Sequence, residues 1–224
     1  MTTALIIGAG QGLSTSLARA LHARGHSLIL AARDTSDLGG LASETGAALI
    51  NCDARNRDDM VRLFDTVDTK GPLDVAIYNP SARVRGAVAD LDTEAVENAI
   101  LVTAYGAFLM AHYATKRMQP QGHGALLFTG ASAGVKGFAN SSAFAMGKFA
   151  LRGLCQSLAR ELHPQNIHIG HFVIDGVIAK STDSEPGNTV LHPDAIAQSY
   201  MHFLDQHPSS WAWEIELRPQ TERF

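Results

Sequence analysis

The sequence predicts a single α/β domain, spanning residues 1–224, in which helices cover both faces of a doubly wound parallel sheet. The length of 224 residues fits one domain rather than two. Short β-rich runs alternate with longer stretches of helical periodicity, and the runs are apolar, as strands buried on both faces are. No linker, internal repeat or low-complexity segment interrupts this alternation.

The predicted elements place the candidate site residues along the chain. The predicted strands are Ala4–Gly8, Ser27–Ala31, Ala47–Cys52, Leu73–Tyr78, Gly124–Gly130, Ile167–Ile174 and Trp211–Leu217. Helical periodicity is clearest in Leu13–Arg24, Asp58–Val67, Thr93–Met118, Ser141–Leu162 and Pro193–Gln206. Gln119–His123 and Ser181–His192 are predicted to be loops. Ligands bind beyond the C-terminal ends of strands in open α/β sheets, so residues that follow each strand are the first candidates.

Composition excludes several classes of protein. Hydrophobic residues make up 46% of the chain and charged residues 18%, which is typical of a soluble globular domain and not of a collagen, a coiled coil or a disordered chain. No apolar stretch reaches the ~18 to 20 residues of a membrane helix, and the N-terminus lacks the features of a signal peptide. The net charge of −4 argues against a nucleic-acid partner. Two cysteines, Cys52 and Cys155, are too few for a disulfide framework, so we expect reduced thiols in the cytoplasm.

The first predicted strand runs into a glycine-rich turn that suits an anion. The turn reads Gly8-Ala9-Gly10-Gln11-Gly12-Leu13-Ser14 and opens a helix. Glycines let the backbone approach a pyrophosphate, and a helix N-terminus favours its charge. The spacing is not G-x-G-x-x-G, because Leu13 stands where that motif has glycine. A dinucleotide site is the favoured interpretation of this turn, and a merely tight turn is the alternative.

The residues after the second predicted strand indicate which dinucleotide is bound. An acidic residue there binds the ribose hydroxyl of NAD, whereas an arginine suits the 2′-phosphate of NADP. Arg33 favours NADP over NAD. Asp34 follows directly, and the alternative is that its carboxylate binds a ribose hydroxyl, as in NAD. The alternative for Arg33 is a solvated surface arginine.

Several further motifs occur in a familiar order. After the glycine turn come Asn51-Cys52-Asp53, Asp74-Val75-Ala76-Ile77-Tyr78-Asn79, Gly106-x-Phe108, Lys148 and Asp175-Gly176. Taken together, these motifs make the chain resemble the short-chain dehydrogenase/reductase family over nearly its whole length. The resemblance implies an oxidoreductase with a Rossmann-like seven-stranded sheet of order 3-2-1-4-5-6-7. It also implies a nicotinamide cofactor and a homodimer or homotetramer.

The resemblance also assigns roles to individual residues. It implies that Asp53 and Ala54 hold the adenine and that Asn79 lies beside the cofactor ribose. Lys148 would bind the hydroxyls of the nicotinamide ribose. Gly176 and Val177, after the sixth strand, are further candidate cofactor-binding residues.

The chain departs from the family pattern where the chemistry is done. The family's catalytic tyrosine falls on Phe144, its catalytic serine on Ala131 and its helix asparagine on Thr103. Its third glycine falls on Ser14, and its Asn-Asn-Ala-Gly reads Tyr78-Asn79-Pro80-Ser81. The chain resembles a minor subgroup in which phenylalanine replaces the tyrosine while the lysine is retained.

Phe144 and Ala131 carry no group that donates a proton to a carbonyl oxygen. A general acid contributes roughly 10² to 10⁴ in rate, and an oxyanion donor roughly 10² or more. Candidate replacements are Ser132, beside the lost serine, Asp175, at the end of the sixth strand, and Tyr78. The alternatives are a hydrogen-bonded scaffold role for Ser132 and Tyr78, and a turn or cap role for Asp175.

Three hypotheses follow for the function. The first is an NADP-dependent oxidoreductase with a rebuilt proton-donating apparatus, acting on an acceptor that needs less acid help, such as an activated alkene or a quinone. The second is a catalytically silent NADPH-binding sensor or partner protein, and the third is a scaffold without cofactor. The only segment available as a substrate-side lid is Val177–His192, which is short and polar, so we expect a small or medium ligand. No metal site is expected from the spacing of the histidines.

Overall fold

The computed structural model describes residues 2–179 and 189–222. The strands are β1 (Thr3–Ile7), β2 (Ser27–Ala32), β3 (Ala48–Asn51), β4 (Leu73–Tyr78), β5 (Gly124–Thr129), β6 (Ile167–Ile174) and β7 (Glu214–Leu217). All pair in parallel, in the order β3-β2-β1-β4-β5-β6-β7. The predicted Rossmann-like fold class and strand order are therefore confirmed.

The helices are α1 (Leu13–Ala23), α2 (Gly39–Thr45), α3 (Arg57–Asp68), α4 (Thr93–Ile100), α5 (Gly106–Gln121), α6 (Ser142–Leu162) and α7 (Pro193–Leu204). The sequence did not predict α2, which is short and begins with two glycines. The predicted helix Thr93–Met118 is two helices joined by a π-helical turn at Leu101–Tyr105. The predicted loop at Gln119–His123 is wrong in its first half, because α5 continues through Pro120 and ends where Gly122 adopts a left-handed φ of 72°.

The alternation of side chains along each strand builds two core layers. In β1, Leu5 and Ile7 face the layer of α3, α5 and α6, whereas Ala4 and Ile6 face the layer of α1 and α7. Each helix that packs on the sheet presents a stripe of apolar side chains to it. In α1, Leu13, Leu17 and Leu21 recur every four residues and are buried against the sheet. Because the strands are parallel, the C-terminal ends of β1 to β6 lie along one edge of the sheet. The clefts described below open at this edge.

One helical segment, Thr93–Gln121, is long and apolar enough by composition to cross a membrane. The expectation that no segment of this length exists is therefore wrong. The segment is α4, the π-helical turn and α5, and α5 buries Leu109, Met110 and Ala114 in the core. Core helices of globular domains pass the same test of length and hydropathy.

The predicted lid, Val177–His192, falls partly outside the described residues, which omit 180–188. Its two described ends lie side by side. The N–H of Leu191 donates to the Val177 carbonyl at 2.8 Å, and the N–H of Ala179 donates to the Leu191 carbonyl at 2.8 Å. These bonds tie the segment after β6 to the segment that precedes α7.

Candidate active site

Two clefts open at the C-terminal edge of the sheet. The larger, of about 660 Å³, extends from Gly8 past Arg33 to Asp53 and Ala54. The smaller, of about 350 Å³, lies between the ends of β5 and β6 and the start of α6. Asn79, at the end of β4, lines both clefts. The geometry therefore provides a long groove and an adjoining pocket.

The glycine turn has the form of a pyrophosphate cradle. Gly8 and Gly12 have φ values of 79° and 84°, a region that favours glycine. A Cβ at Gly8 would lie 2.7 Å from Pro80, whereas a Cβ at Gly10 would meet nothing within 4 Å. Helix α1 begins at Leu13, its N-cap residue Gly12 provides no side-chain cap, and its first turn has no acidic residue. Open space and uncapped N–H groups suit an anionic ligand, so the residues present fit the phosphates of a dinucleotide.

Ser14 stands where the family has its third glycine, and the turn accommodates it. Its buried hydroxyl donates to the Gly8 carbonyl at 3.0 Å and accepts from Asn79 Nδ2 at 2.8 Å. The backbone N–H of Asn79 donates to the Ile7 carbonyl at 3.0 Å. The serine therefore stabilises the turn through these two hydrogen bonds. The space at Gly10 stays open.

Arg33 and Asp34 are both exposed and line the larger cleft. The Asp34 carboxylate accepts a hydrogen bond from the Ser36 N–H at 2.9 Å, which lowers the pKa of Asp34. Among residues 2–179 and 189–222, Arg33 has no hydrogen-bond partner, and its charge helps to lower the pKa of Asp53. Of the two neighbouring side chains, the arginine is thus the one free to meet an anion.

Asp53 and Ala54 lie at the far end of the larger cleft. The Asp53 carboxylate is held by the Arg55 guanidinium, with Nη2 to Oδ2 at 2.6 Å and Nε to Oδ1 at 3.0 Å. Hydrogen bonding to Arg55 is the main cause that lowers the pKa of Asp53. Asp53 is thus a fixed carboxylate at the position where the resemblance expects the adenine.

Lys148 lies at the base of the smaller cleft. Its side chain is buried, and Nζ donates to the Thr129 carbonyl at 2.7 Å. Burial lowers the pKa of Lys148 to about 7, and the positive charge of Arg83 lowers it further in the same direction. Phe144, one turn earlier on α6, and Ala131, after β5, line the same cleft. The structure thus brings together the retained lysine and both positions that lack a hydroxyl.

Arg83 is a site residue that the sequence interpretation missed. It lies in the segment after β4 and lines the smaller cleft, with its guanidinium carbon 4.7 Å from the centroid of the Phe144 ring. A signal for it exists in the sequence, because a basic residue shortly after a strand stands where ligands bind. The neighbouring Arg85 carries the same signal but lines neither cleft.

The predicted replacement proton donors lie around the smaller cleft but do not line it. Tyr78 is fully buried and donates to the Val102 carbonyl at 2.5 Å, and burial raises the pKa of Tyr78. The buried, hydrogen-bonded hydroxyl of Tyr78 matches the alternative of a scaffold role for this residue. Ser132 begins a 3₁₀ turn, and its carbonyl accepts from the N–H of Val135 at 3.0 Å.

Asp175 and Thr103 both contact other groups of the protein. The Asp175 carboxylate is buried, 3.3 Å from Arg218 Nη2 and 3.6 Å from Lys136 Nζ. Thr103 lies in the π-helical turn, and its Oγ1 accepts from the Ala82 N–H at 3.3 Å. Thr103 thereby fixes the loop that carries Arg83.

Gly176 and Val177 form part of the wall of the smaller cleft. Gly176 has a φ of 151°, and a Cβ there would lie 2.8 Å from Pro219. Val177 is 70% exposed, so its side chain is available to a ligand. Within the described part of the chain, no cluster of three or more histidine, cysteine or acidic side chains is arranged to hold a metal ion.

The sequence profile described as short chain dehydrogenase matches residues 2–185. The chain belongs to this family of oxidoreductases. A short-chain dehydrogenase from Rhodopseudomonas palustris has a similar structure, with 30% identity and a TM-score of 0.86, covering 97% of this chain and 98% of that one. The family resemblance drawn from the motifs is therefore confirmed.

Two further proteins are similar to this chain. An alcohol dehydrogenase from Thermococcus sibiricus, complexed with 5-hydroxy-NADP, is 22% identical with a TM-score of 0.86, covering 100% of this chain and 99% of that one, and shares the fold. The cyclic-di-GMP-binding biofilm dispersal mediator protein of Escherichia coli is 27% identical over 187 residues, which cover 83% of this chain and 76% of that protein.

Proposed function

We propose that this short-chain dehydrogenase is an NADP-dependent oxidoreductase that transfers a hydride to a small or medium substrate. The observation that carries the proposal is the position of Lys148, buried at the base of a cleft that adjoins the open glycine turn through Asn79. We further propose a cytoplasmic homodimer or homotetramer, as the resemblance implies.

The chain's own residues bind and orient the cofactor. The turn from Gly8 to Leu13, with Gly10, Gln11 and Gly12, takes the pyrophosphate. Arg33, free of described partners, takes the 2′-phosphate, which is the reason to propose NADP rather than NAD. Asp53 and Ala54 hold the adenine end, and Asn79 with Lys148 holds the nicotinamide ribose. When bound, the cofactor supplies the hydride.

The proton is proposed to come from Lys148. The pKa of Lys148, lowered to about 7 by burial, lies where general acids work best at neutral pH. Phe144 and Ala131, in the same cleft, have no proton to give. Ser132, Asp175 and Thr103 remain predicted contributors at the border of the cleft. Because Lys148 is the single acid proposed, acceptors that need little general-acid catalysis, such as activated alkenes or quinones, remain candidate substrates.

A catalytically silent NADPH-binding sensor or partner protein is the alternative function. Its supporting observation is that both hydroxyl positions lining the cleft are filled by Phe144 and Ala131, while the cofactor groove is intact. The relative from Escherichia coli whose name describes a nucleotide-binding mediator is in keeping with this alternative.

The test is binding of NADPH and NADH by calorimetry, followed by NADPH oxidation with a panel of ketones, enones and quinones. Arg33→Ala is expected to weaken NADPH binding by roughly tenfold or more and NADH binding much less. Arg160→Ala, which removes an exposed arginine from α6, is the matched control and is expected to change neither. Tight NADPH binding without turnover of any acceptor would favour the silent binder. Absence of binding of either nucleotide would overturn both proposals.

A further inference from the structure

The smaller cleft holds a guanidinium that no described group of the protein neutralises. Arg83 has no hydrogen bond or ion pair with any residue in 2–179 or 189–222, and its one described contact is the face of Phe144. Other arginines of the chain hold carboxylates, in the pairs Arg24–Asp205, Arg55–Asp53, Arg117–Asp68 and Arg152–Glu214. Arg83 therefore keeps its planar set of N–H donors available within the cleft.

The charge of the cleft is one-sided. Among the described residues that line it, the ionisable side chains are Arg83 and Lys148, and no carboxylate joins them. Asp175, the candidate proton donor after β6, does not line the cleft. Its carboxylate is paired with Lys136 and Arg218. The Arg83 guanidinium, joined by the Lys148 ammonium when that group is protonated, raises the local concentration of anions and favours a negatively charged ligand.

The ring of Phe144 positions the guanidinium. A guanidinium stacks on an aromatic face while its edge remains free to form hydrogen bonds, which a flexible lysine does less well. Thr103 supports this placement from the other side, because it accepts a hydrogen bond from Ala82, the residue before Arg83. The phenylalanine at the tyrosine position thus serves as a platform for Arg83.

We propose that Arg83 binds the carboxylate of a short-chain oxo acid, which is the substrate class of this site. This inference rests on the proposed oxidoreductase function. A single planar guanidinium matches a carboxylate, which accepts two parallel N–H bonds. The cleft volume of about 350 Å³ is at the small end for ligand sites, and the nicotinamide end of the cofactor is proposed to share it, so the carbon chain between carboxylate and ketone is short.

The reaction balances without another reactant. The ketone carbon gains a hydride from the reduced cofactor, and the ketone oxygen gains a proton from the Lys148 ammonium as its π bond breaks. The products are a hydroxy acid and the oxidised cofactor. Lys148 recovers its proton from solvent, and the carboxylate on Arg83 is unchanged.

The experiment compares acids with their uncharged esters. The probes are 2-oxobutanoate, 3-oxobutanoate and 4-oxopentanoate, each beside its methyl ester, with inorganic phosphate as a separate anion. Binding is measured by calorimetry on the free protein and with oxidised NADP, which cannot reduce the ketone, and turnover is followed as NADPH oxidation. The variants are Arg83→Met and Arg85→Met, which remove the same charge from the same loop. Phe144→Leu removes the ring, and Phe144→Tyr keeps it.

We expect at least one oxo acid to bind the wild type tighter than its ester, and Arg83→Met to weaken that acid by roughly 10- to 100-fold. Arg85→Met and Phe144→Tyr are expected to keep the preference for the acid, and Phe144→Leu to reduce it. Equal binding of acids and esters, equal effects of the two arginine variants, or a preference for phosphate would overturn the inference. If NADPH fails to bind, the proposed function falls, and acid binding to the free protein still decides the role of Arg83.

Discussion

The side-chain amide of Asn79 donates a 2.8 Å hydrogen bond to the hydroxyl oxygen of Ser14. This bond links the end of β4 to the first turn of α1, and Ser14 extends the link by donating to the Gly8 carbonyl. A glycine at position 14 would make neither bond. The serine thus stabilises the turn at the position where the family pattern has its third glycine.

Ser14→Ala is expected to lower the free energy of unfolding by about 1 kcal/mol, because it removes the hydroxyl that binds both the half-buried Asn79 amide and the Gly8 carbonyl. The matched control is Ser16→Ala, two residues on in α1. The Ser16 hydroxyl is also buried, but it has no hydrogen-bond partner among the described residues. Its removal is expected to be neutral or stabilising, and urea unfolding of both variants makes the comparison. Equal losses in the two variants would contradict the stabilising role of Ser14.

Substitutions at two glycines of the turn are expected to have different effects, one on the stability of the protein and the other on NADPH binding. Gly8→Ala places a Cβ 2.7 Å from Pro80 at a φ of 79°, so the unfolding free energy is expected to fall by about 2 to 4 kcal/mol. Gly10→Ala meets open space, so stability is expected to be unchanged while NADPH binding weakens, because the methyl group enters the space for the pyrophosphate. Thermal unfolding and calorimetry distinguish the two. Normal NADPH affinity in a folded Gly10→Ala variant would place the cofactor elsewhere.

The stability of the cofactor-free protein is expected to depend on Lys148 in the alkaline range. Burial lowers the pKa of Lys148 from 10.5 to about 7, so between these values the unfolded chain binds a proton that the folded protein does not. Unfolding therefore becomes less favourable as pH rises through this window, and stability increases with pH. Below about pH 7 the folded protein carries the buried ammonium at its full desolvation cost.

Urea unfolding at several pH values between about 6.5 and 9.5 tests this dependence. Lys148→Met is expected to remove the rise, whereas Lys116→Met, at an exposed position of α5, is expected to keep the wild-type slope. Because Arg83 also lowers the pKa of Lys148, Arg83→Met is expected to shift the rise to higher pH. Parallel profiles for wild type and Lys148→Met would show that the lysine is not buried as described.

Restoring the two lost hydroxyls is expected to create generic ketone reduction. Phe144 and Ala131 share a cleft with Lys148, so Phe144→Tyr combined with Ala131→Ser places a phenol and a hydroxyl where a carbonyl oxygen is expected. The gain in kcat/KM for a simple ketone is expected to be roughly 10²-fold or more. Phe149→Tyr, on an exposed face of α6, is the control. A double variant that binds NADPH but gains nothing would show that the cleft differs from the family arrangement.

The architecture could be predicted from local pattern because burial dictates it. A strand covered by helices on both faces is buried along its whole length and mostly apolar, as the eight buried residues of β6 show. A helix on such a sheet carries an apolar stripe, as α1 does. Where these signals are weak, prediction failed. Helix α2 is short and glycine-rich, and β7 begins at Glu214 rather than Trp211. The π-helical turn at Leu101–Tyr105 leaves no mark in a helical period.

The sequence by itself determined the two-layered parallel sheet, the glycine turn and the loss of both hydroxyls, because each depends on residue identity and local spacing. Only the tertiary structure decided which charges meet. Arg83 stacks on Phe144 from a different element, whereas Asp175, directly after β6, is drawn to Lys136 and Arg218. Side-chain pairing between elements follows from competition among charges and packing surfaces that are far apart along the chain, and no local periodicity records its outcome.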